Sequence, residues 1–199
     1  NKIIFTSLLL FLHSSIAEQN INYVASGTLD GRFNWHLSNL RFSEDGDDLR
    51  VVTTKGNRWV GYEHHLNVLS PSDNELKLVA QLPNDTYPEK IGKVNKEGIV
   101  QEDIKSVRFF ENKAYIVTFL NTDPLYVLDL SDEEQLKITG ALEIPGYSSY
   151  LHPISDRLLV GIGQNVDPNR MTFTDNGSIN TEDDSPIVEG AKITLFDVS

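Results

Sequence analysis

The hydrophobic positions of this chain fall into short runs of five to eight residues, and the runs recur as a phrase. The stretch "YVLDLSDEEQLKITGALEIP" (Tyr126 to Pro145) holds an apolar run, an acidic Ser-Asp turn, a second apolar run and a proline. "LNVLSPSDNELKLVAQLP" (Leu66 to Pro83) repeats that order. "FLHSSIAEQNINYVASGTL" (Phe11 to Leu29) has the same shape with a weaker turn, and the closing "ITLFDVS" is its first half. Between these copies lies a second phrase of short strand, polar turn and longer strand: "LRFSEDGDDLRVVTT" (Leu40 to Thr54), "VRFFENKAYIVTF" (Val107 to Phe119) and "LHPISDRLLVGIG" (Leu151 to Gly163).

The runs are rich in Val, Ile, Leu, Tyr and Phe and are bounded by Asp, Asn, Ser, Gly or Pro, which predicts strands rather than helices. Alternation is partial. "RVVTT" and "HLNVL" are mixed, whereas "YVLDL" is nearly all apolar and predicts a strand buried on both faces. The Ser-Asp turns have a local cause, since short side-chain oxygens bond nearby backbone N–H groups. Glu133, Glu134 and Gln135 favour helix, but the β-branched and aromatic runs on either side are expected to override them. The two phrases together make a four-stranded antiparallel unit of roughly 40 to 50 residues, the signature of a β-propeller blade. An all-β propeller fragment follows, with complete blades at about 38–83 and 106–145. Partial blades flank them: two strands at Phe11–Leu29 and three strands from about 149. The first spacing is longer than the second, and the excess lies between Asn84 and Asp103. Blades at the ends of such a piece are expected to leave faces and strand edges uncovered.

The N-terminus admits two readings. Residues 1–17, with Lys2, an apolar run from Ile3 to Leu12 and small residues before Ala17, have the layout of a secretory signal peptide; they also read as a blade strand. Residues 18–199 form the partial propeller. The apolar run is too short for the ~20 residues of a membrane-spanning helix, so no transmembrane segment is expected. The chain starts at Asn1 and ends directly after a strand, so a piece of a larger protein is expected. A formal charge of -12 on 199 residues weighs against phosphate-backbone contacts, and nucleic acid is not an expected partner. Without cysteine there is no disulfide framework, thiolate zinc site or thiol nucleophile.

The run "IKSVRFFENKAYIVTFLNTDPLYVLDLSDEEQLKITGALEIPGYSSYLHPISDRLLVGIG", followed by "GAKITLFDVS", resembles the bacterial secreted β-propeller domain family that is distantly related to WD40 repeats. The likeness extends from about Ile21 to the end. It implies a secreted or cell-surface location and a propeller larger than this chain. It carries over no catalytic residue.

Candidate chemistry concentrates where the phrases do not repeat. The acidic insert at 164–190 carries Asp167, Asp175, Glu182, Asp183, Asp184 and Glu189 against Arg170 alone. Oxygen ligands at this density suit Ca²⁺, with Asp175, Asp183 and Asp184 as candidates. The spacing is not that of an EF-hand, and a solvated loop is the default for such a composition. Five histidines are present: His13, His36, His64, His65 and His152. Adjacent His64 and His65 would face opposite sides of a strand and not share a metal. The "GYSSY" stretch containing Ser149 lacks the context of a nucleophile elbow. Asp129, Asp132 and Asp197 invite a paired-carboxylate reading, but they recur at equivalent positions and so serve turns. Trp35, Trp59 and Tyr62 sit in loop-like segments, where aromatics stack on sugars, grip a partner protein or pack under the loop.

The inner segments "NLRF", "SVRF" and "SYLHP" place Arg41, Arg108 and His152 as candidates to line a central channel and hold an anionic ligand. The expected function is a non-enzymatic extracytoplasmic binding or scaffold domain for a protein or polysaccharide partner. The alternative is a hydrolase or lyase with a central-channel active site. Neither reading implies a cofactor beyond the calcium candidate, and neither fixes an oligomeric state.

Overall fold

The structure is a computed structural model and describes residues 22–33, 40–119, 123–144, 146–167 and 187–199. Among the described residues, eleven strands make three antiparallel sheets, each taken in chain order. The first blade holds β1 (Phe42–Asp45), β2 (Asp48–Asn57), β3 (Gly61–Ser72) and β4 (Glu75–Leu82). The second holds β5 (Asp103–Phe110), β6 (Lys113–Phe119), β7 (Asp123–Asp129) and β8 (Lys137–Ile144). The third holds β9 (Tyr147–Pro153), β10 (Leu158–Asp167) and β11 (Ile187–Asp197). The repeated phrases therefore coincide with β1–β2, β5–β6 and β9–β10 on one hand, and β3–β4 and β7–β8 on the other.

The core consists of two layers between blades. Val52, Leu66, Val68 and Leu82 of the first blade meet Ile104, Val107, Ile116 and Leu128 of the second. On the second blade's other face, Tyr115, Val117 and Leu125 meet Leu151, Leu159 and Phe196 of the third. Blade two is covered on both sides, and for that reason β6 is buried over six consecutive residues. The alternating parity of a strand sends odd and even positions to different neighbours, so a run with no polar face is required.

Among the described residues, blade three is covered on one side only. Its other face presents Tyr150, Ile162, Ile193 and Leu195, which are 40%, 43%, 77% and 61% exposed. Register aligns Tyr150 with Ile162 and Ile162 with Ile193, so the first three form one cross-strand row. Leu159→Ala, which empties a fully buried site between blades, is expected to cost about 2 to 5 kcal/mol. Leu195→Ala on the uncovered face is expected to cost under about 1 kcal/mol. Urea denaturation of the two variants checks the contrast, and equal losses would contradict this layering.

The structure departs from the sequence reading in three places. Of the strand pair expected at Phe11–Leu29, residues 1–21 lie outside the described residues, as does the choice between signal peptide and strand for 1–17. Residues 22–29 form no blade strand. They lie extended along β4 through a single parallel bridge, Ser26 with Glu75, with Leu76 N–H donating to the Ser26 carbonyl at 2.9 Å. Tyr23 and Val24 are about 70% exposed, so this run has no apolar layer to join. Glu133–Gln135 does turn once as a 3-10 helix, because it spans the gap between β7 and β8 rather than lying inside a strand. The acidic insert is narrower than 164–190: Gln164–Asp167 and Ile187–Gly190 are strand, paired across β10 and β11 with a bulge at Asn165/Val166.

Antiparallel order sorts the connections into two ends. The β1–β2, β3–β4, β5–β6, β7–β8 and β9–β10 turns lie at one end, the turn end. The β2–β3 and β10–β11 hairpins and the β4–β5 connection lie at the other, the loop end. A backbone bond from Tyr62 N–H at the hairpin to the Val100 carbonyl in the β4–β5 connection, 2.8 Å, ties the loop end together.

Candidate functional site

The turn end is built from repeats. The Asp129 carboxylate accepts from Ser131 N–H at 3.0 Å and from its hydroxyl at 2.7 Å, and those bonds lower its pKa below the usual carboxylate value. Asp197 accepts from Ser199 N–H at 3.1 Å in the same way and is likewise made more acidic. Leu130 N–H reaches the Asn112 carbonyl and Val198 N–H the Arg157 carbonyl, both at 2.8 Å. Asp132 accepts from the Gln135 side-chain amide at 2.9 Å. Arg50, almost wholly buried, locks the first blade to the second by donating to the Glu111 carbonyl at 3.0 Å and pairing with Asp45. A cleft of about 810 Å³ opens between blades two and three beside these turns. It runs between Gly140–Leu142 of β8 and Phe196–Ser199 along the edge of β11, with Lys113, Asp129, Asp156 and Arg157 also on its walls; Asp129 and Asp197 there are engaged in their turns.

The loop end is where the blades differ. Arg41, Arg108 and His152 stand on or just before the first strands of their blades, opposite Val52, Tyr115 and Val160. Each side chain faces the layer toward the next blade, so the three lie in three successive layers. Arg41, 1% exposed, is turned into the layer between blades one and two. Arg108 shares the face of Tyr115, toward blade three, and its Nε has no partner among the described residues. His152 lies on the uncovered face of blade three, its Nδ1 at 3.4 Å from the Tyr150 hydroxyl. A long side chain on a packed strand follows the strand's alternation into a layer, and for this reason the channel placement expected for Arg41 does not hold.

What surrounds Arg41 is a directional chain of hydrogen bonds. Its Nη1 donates to Thr54 Oγ1 at 2.8 Å, and Thr54 Oγ1 lies 3.0 Å from His64 Nδ1. His64 Nε2 lies 2.8 Å from the Glu102 carbonyl. A carbonyl only accepts, so Nε2 carries the proton and Nδ1 accepts from the threonine hydroxyl. That is the pattern of the neutral ring, which burial favours. Burial lowers its pKa to about 4, with Arg41 and His65 pushing the same way against the Glu102 bond and Asp103. Burial also lowers the Arg41 pKa, with Asp103 opposing.

Glu102 closes the cluster from the β4–β5 connection. Its Oε2 accepts from Thr118 Oγ1 at 2.7 Å and from Lys93 N–H at 2.8 Å. Burial and the nearby Glu102 carboxylate push the Tyr126 phenol up to about 12. Counted from the turns, Val117 and Leu125 of blade two match Val52 and Leu66 of blade one, and the place of Thr54 is taken by the apolar Phe119. The polar cluster thus belongs to one junction, which distinguishes it from repeated architecture. A side-by-side alignment of the repeats carries this signal in the sequence; Glu102 and Thr118 carry none, since only folding brings them to His64.

Over the cluster sits the β2–β3 hairpin tip. Asn57 Oδ1 accepts from Trp59 N–H at 2.9 Å and from Val60 N–H at 3.3 Å, fixing a tight three-residue tip. Trp59 is nevertheless 81% exposed and Val60 70%. Arg58 stacks its guanidinium 4.6 Å from the Trp59 ring. Tyr62 is half-buried beneath, its ring 5.7 Å from that of His64. His64 and His65 do face opposite ways, and among the described residues no group of three or more metal-ligating side chains converges. Ser149 is exposed, with its hydroxyl near the Ile162 carbonyl at 3.4 Å. The calcium candidates Asp175, Asp183 and Asp184, together with Glu182, Trp35, His36 and His13, lie outside the described residues. Glu189 accepts from Asn165 at 2.9 Å.

A family model described as "Beta propeller domain" matches residues 7–199. An uncharacterized protein of Methanocaldococcus jannaschii is 39% identical over 159 residues, covering 79% of this chain and 23% of that protein. An uncharacterized protein of Archaeoglobus fulgidus is 40% identical over 104 residues, covering 52% of this chain and 16% of its own length. The chain thus spans about a quarter or less of the curated relatives it matches. No solved structure matches.

Proposed function

Because the chain belongs to the β-propeller domain family, we propose that it is the recognition part of an extracytoplasmic binding domain that takes a protein or glycan partner at its loop end. The observation that carries this reading is Trp59. A large aromatic side chain is offered almost wholly to solvent on a backbone that Asn57 pins in place. Exposed, pre-set aromatics bind with little ordering cost and are the usual anchors of recognition surfaces. The acidic, cysteine-free composition and the resemblance to secreted propellers support a place outside the cytoplasm. Arg41, Arg108 and His152 face three separate layers, which weighs for recognition over a hydrolase or lyase site that would need them to converge.

The test uses the intact protein, probed with glycan arrays and partner capture. Trp59→Ala is expected to weaken binding at least about tenfold, or about 1.4 kcal/mol, while leaving the melting temperature unchanged. Binding that is indifferent to Trp59, or turnover of a substrate with no binding at this face, would overturn the reading.

A further inference from the structure

We propose that the loop end holds a saccharide site for an acidic pyranose, such as a uronate unit of a polysaccharide, in the cavity between the hairpin tip and the β4–β5 connection. The proposal rests on the recognition reading above and names the class of ligand. The cavity measures about 330 Å³, within the lower range of small-ligand sites. Its rim carries Lys55, Lys90 and Glu63, and its apolar wall is Val60, Tyr62 and Ile99.

The walls are set by backbone. Gly61 has φ +94°, and a side chain there would collide with the Ile99 Cγ2 methyl, so hairpin and connection touch only because this residue is glycine. Lys90 spends one of its three donors on the Gly98 carbonyl at 2.8 Å, which aims the ammonium at the rim. Lys55 lies 3.6 Å from Asp30, both exposed. Arg58, stacked on Trp59, adds a third cation beside the tip. Three cations, Lys55 and Lys90 on the rim and Arg58 beside the tip, face two carboxylates, Glu63 and Asp30, on a chain of net charge -12 whose turn end carries Glu44, Asp45, Asp47 and Asp48.

These are the groups an acidic sugar uses. Its C–H face stacks on an aromatic plate, here Tyr62 in the wall or Trp59 at the tip beside the cavity, its carboxylate pairs with ammonium or guanidinium, and its hydroxyls donate to a carboxylate. A protein partner would call for a standard interface of about 1,200 Å² or more with an apolar centre. Here the exposed apolar surface at Trp59, Val60 and Ile99 is small and is flanked by Asn57, Arg58, Lys55 and Lys90.

Affinity electrophoresis of the intact protein through gels containing polygalacturonate, alginate or neutral dextran tests the site. Retardation by the two polyuronates and not by dextran is expected, weakened at least about tenfold by Trp59→Ala and by Lys55→Glu, and reduced by salt. Both positions are exposed, and unchanged melting temperatures show that the variants fold. Equal retardation in dextran, or polyuronate binding that neither variant alters, overturns the proposal. If polyuronates do nothing while Trp59→Ala abolishes capture of a protein, the acidic-sugar class falls and the recognition face stands. If Trp59→Ala changes no binding of any kind, both fall.

Discussion

On titration from pH 7 to about 4, the folded chain is expected to lose about 3 kcal/mol through one side chain, His64. Its pKa falls from the ordinary 6.5 to about 4 in the folded state, and each unit is worth about 1.4 kcal/mol. The sign follows from proton counting. Between those two values the unfolded chain binds a proton that the folded chain refuses, so acid favours unfolding. The contribution is fully present above about pH 6.5, declines as pH falls, and is exhausted near pH 4. Geometry agrees with burial here: a second ring proton, on Nδ1, would put a cation in a closed layer beside the Arg41 guanidinium.

His65 and the turn-end carboxylates also respond to acid, so the readout is a difference. The stability gap between the native chain and His64→Gln is expected to shrink steadily from pH 7 to 4, as measured by urea denaturation at each pH. The imidazole C–H resonances of His64 should stay in the neutral form down to about pH 4. A gap that is constant with pH would show that His64 is not the titrating group.

Gly163→Ala is expected to unseat the third blade. Gly163 sits on β10 where its register with β9 shifts, and β9 crosses it at unusually close range. A Cβ there would lie 2.7 Å from the Tyr147 carbonyl carbon and 2.8 Å from the Ser148 Cα, and would collide with the Tyr147 oxygen. Backbone cannot rotate aside as a side chain can, so β9 must move away from β10. Overpacking of this kind costs about 1 to 3 kcal/mol, and a clash with backbone belongs at the upper end. Because β9 also carries Leu151 into the layer with blade two, hydrogen exchange should accelerate across β9 to β11 and much less in β2 to β4. Gly140→Ala, which meets nothing within 4 Å, is the control and should be close to neutral. Equal stability of the two variants would contradict the close crossing.

Much of the architecture was legible along the chain because each blade solves the same local problem. The apolar runs of β3 and β7, followed by short oxygen-bearing turn residues, can do little but reverse and pair again. Asp129 and Asp197 bond the N–H two residues on, an interaction that needs no distant partner. The reading failed where an element depends on what lies beside it. Tyr23 and Val24 look like part of a strand, yet they have no second layer to enter and remain exposed on the edge of β4. Gln164–Asp167 looked like the start of a loop, yet a partner strand twenty residues away makes it β10.

The candidate site was less legible for the same reason. Trp59 and Tyr62 could be singled out as loop aromatics, but Lys55, Lys90 and Glu63 are unremarkable in sequence. They share a rim only because Gly61 lets the hairpin approach the β4–β5 connection.

By itself the sequence determined the strands, their turns and their grouping into blades, since these rest on period-two burial and on hydrogen bonds spanning a few residues. The tertiary structure alone decided which face each side chain meets. It turned Arg41 away from a channel and into the layer between blades, and it set His64 against Thr54 and Glu102. It also gathered the non-repeating hairpin and connection at one end. Stacking of sheets brings together residues far apart in the chain, and no local pattern encodes which of them will touch.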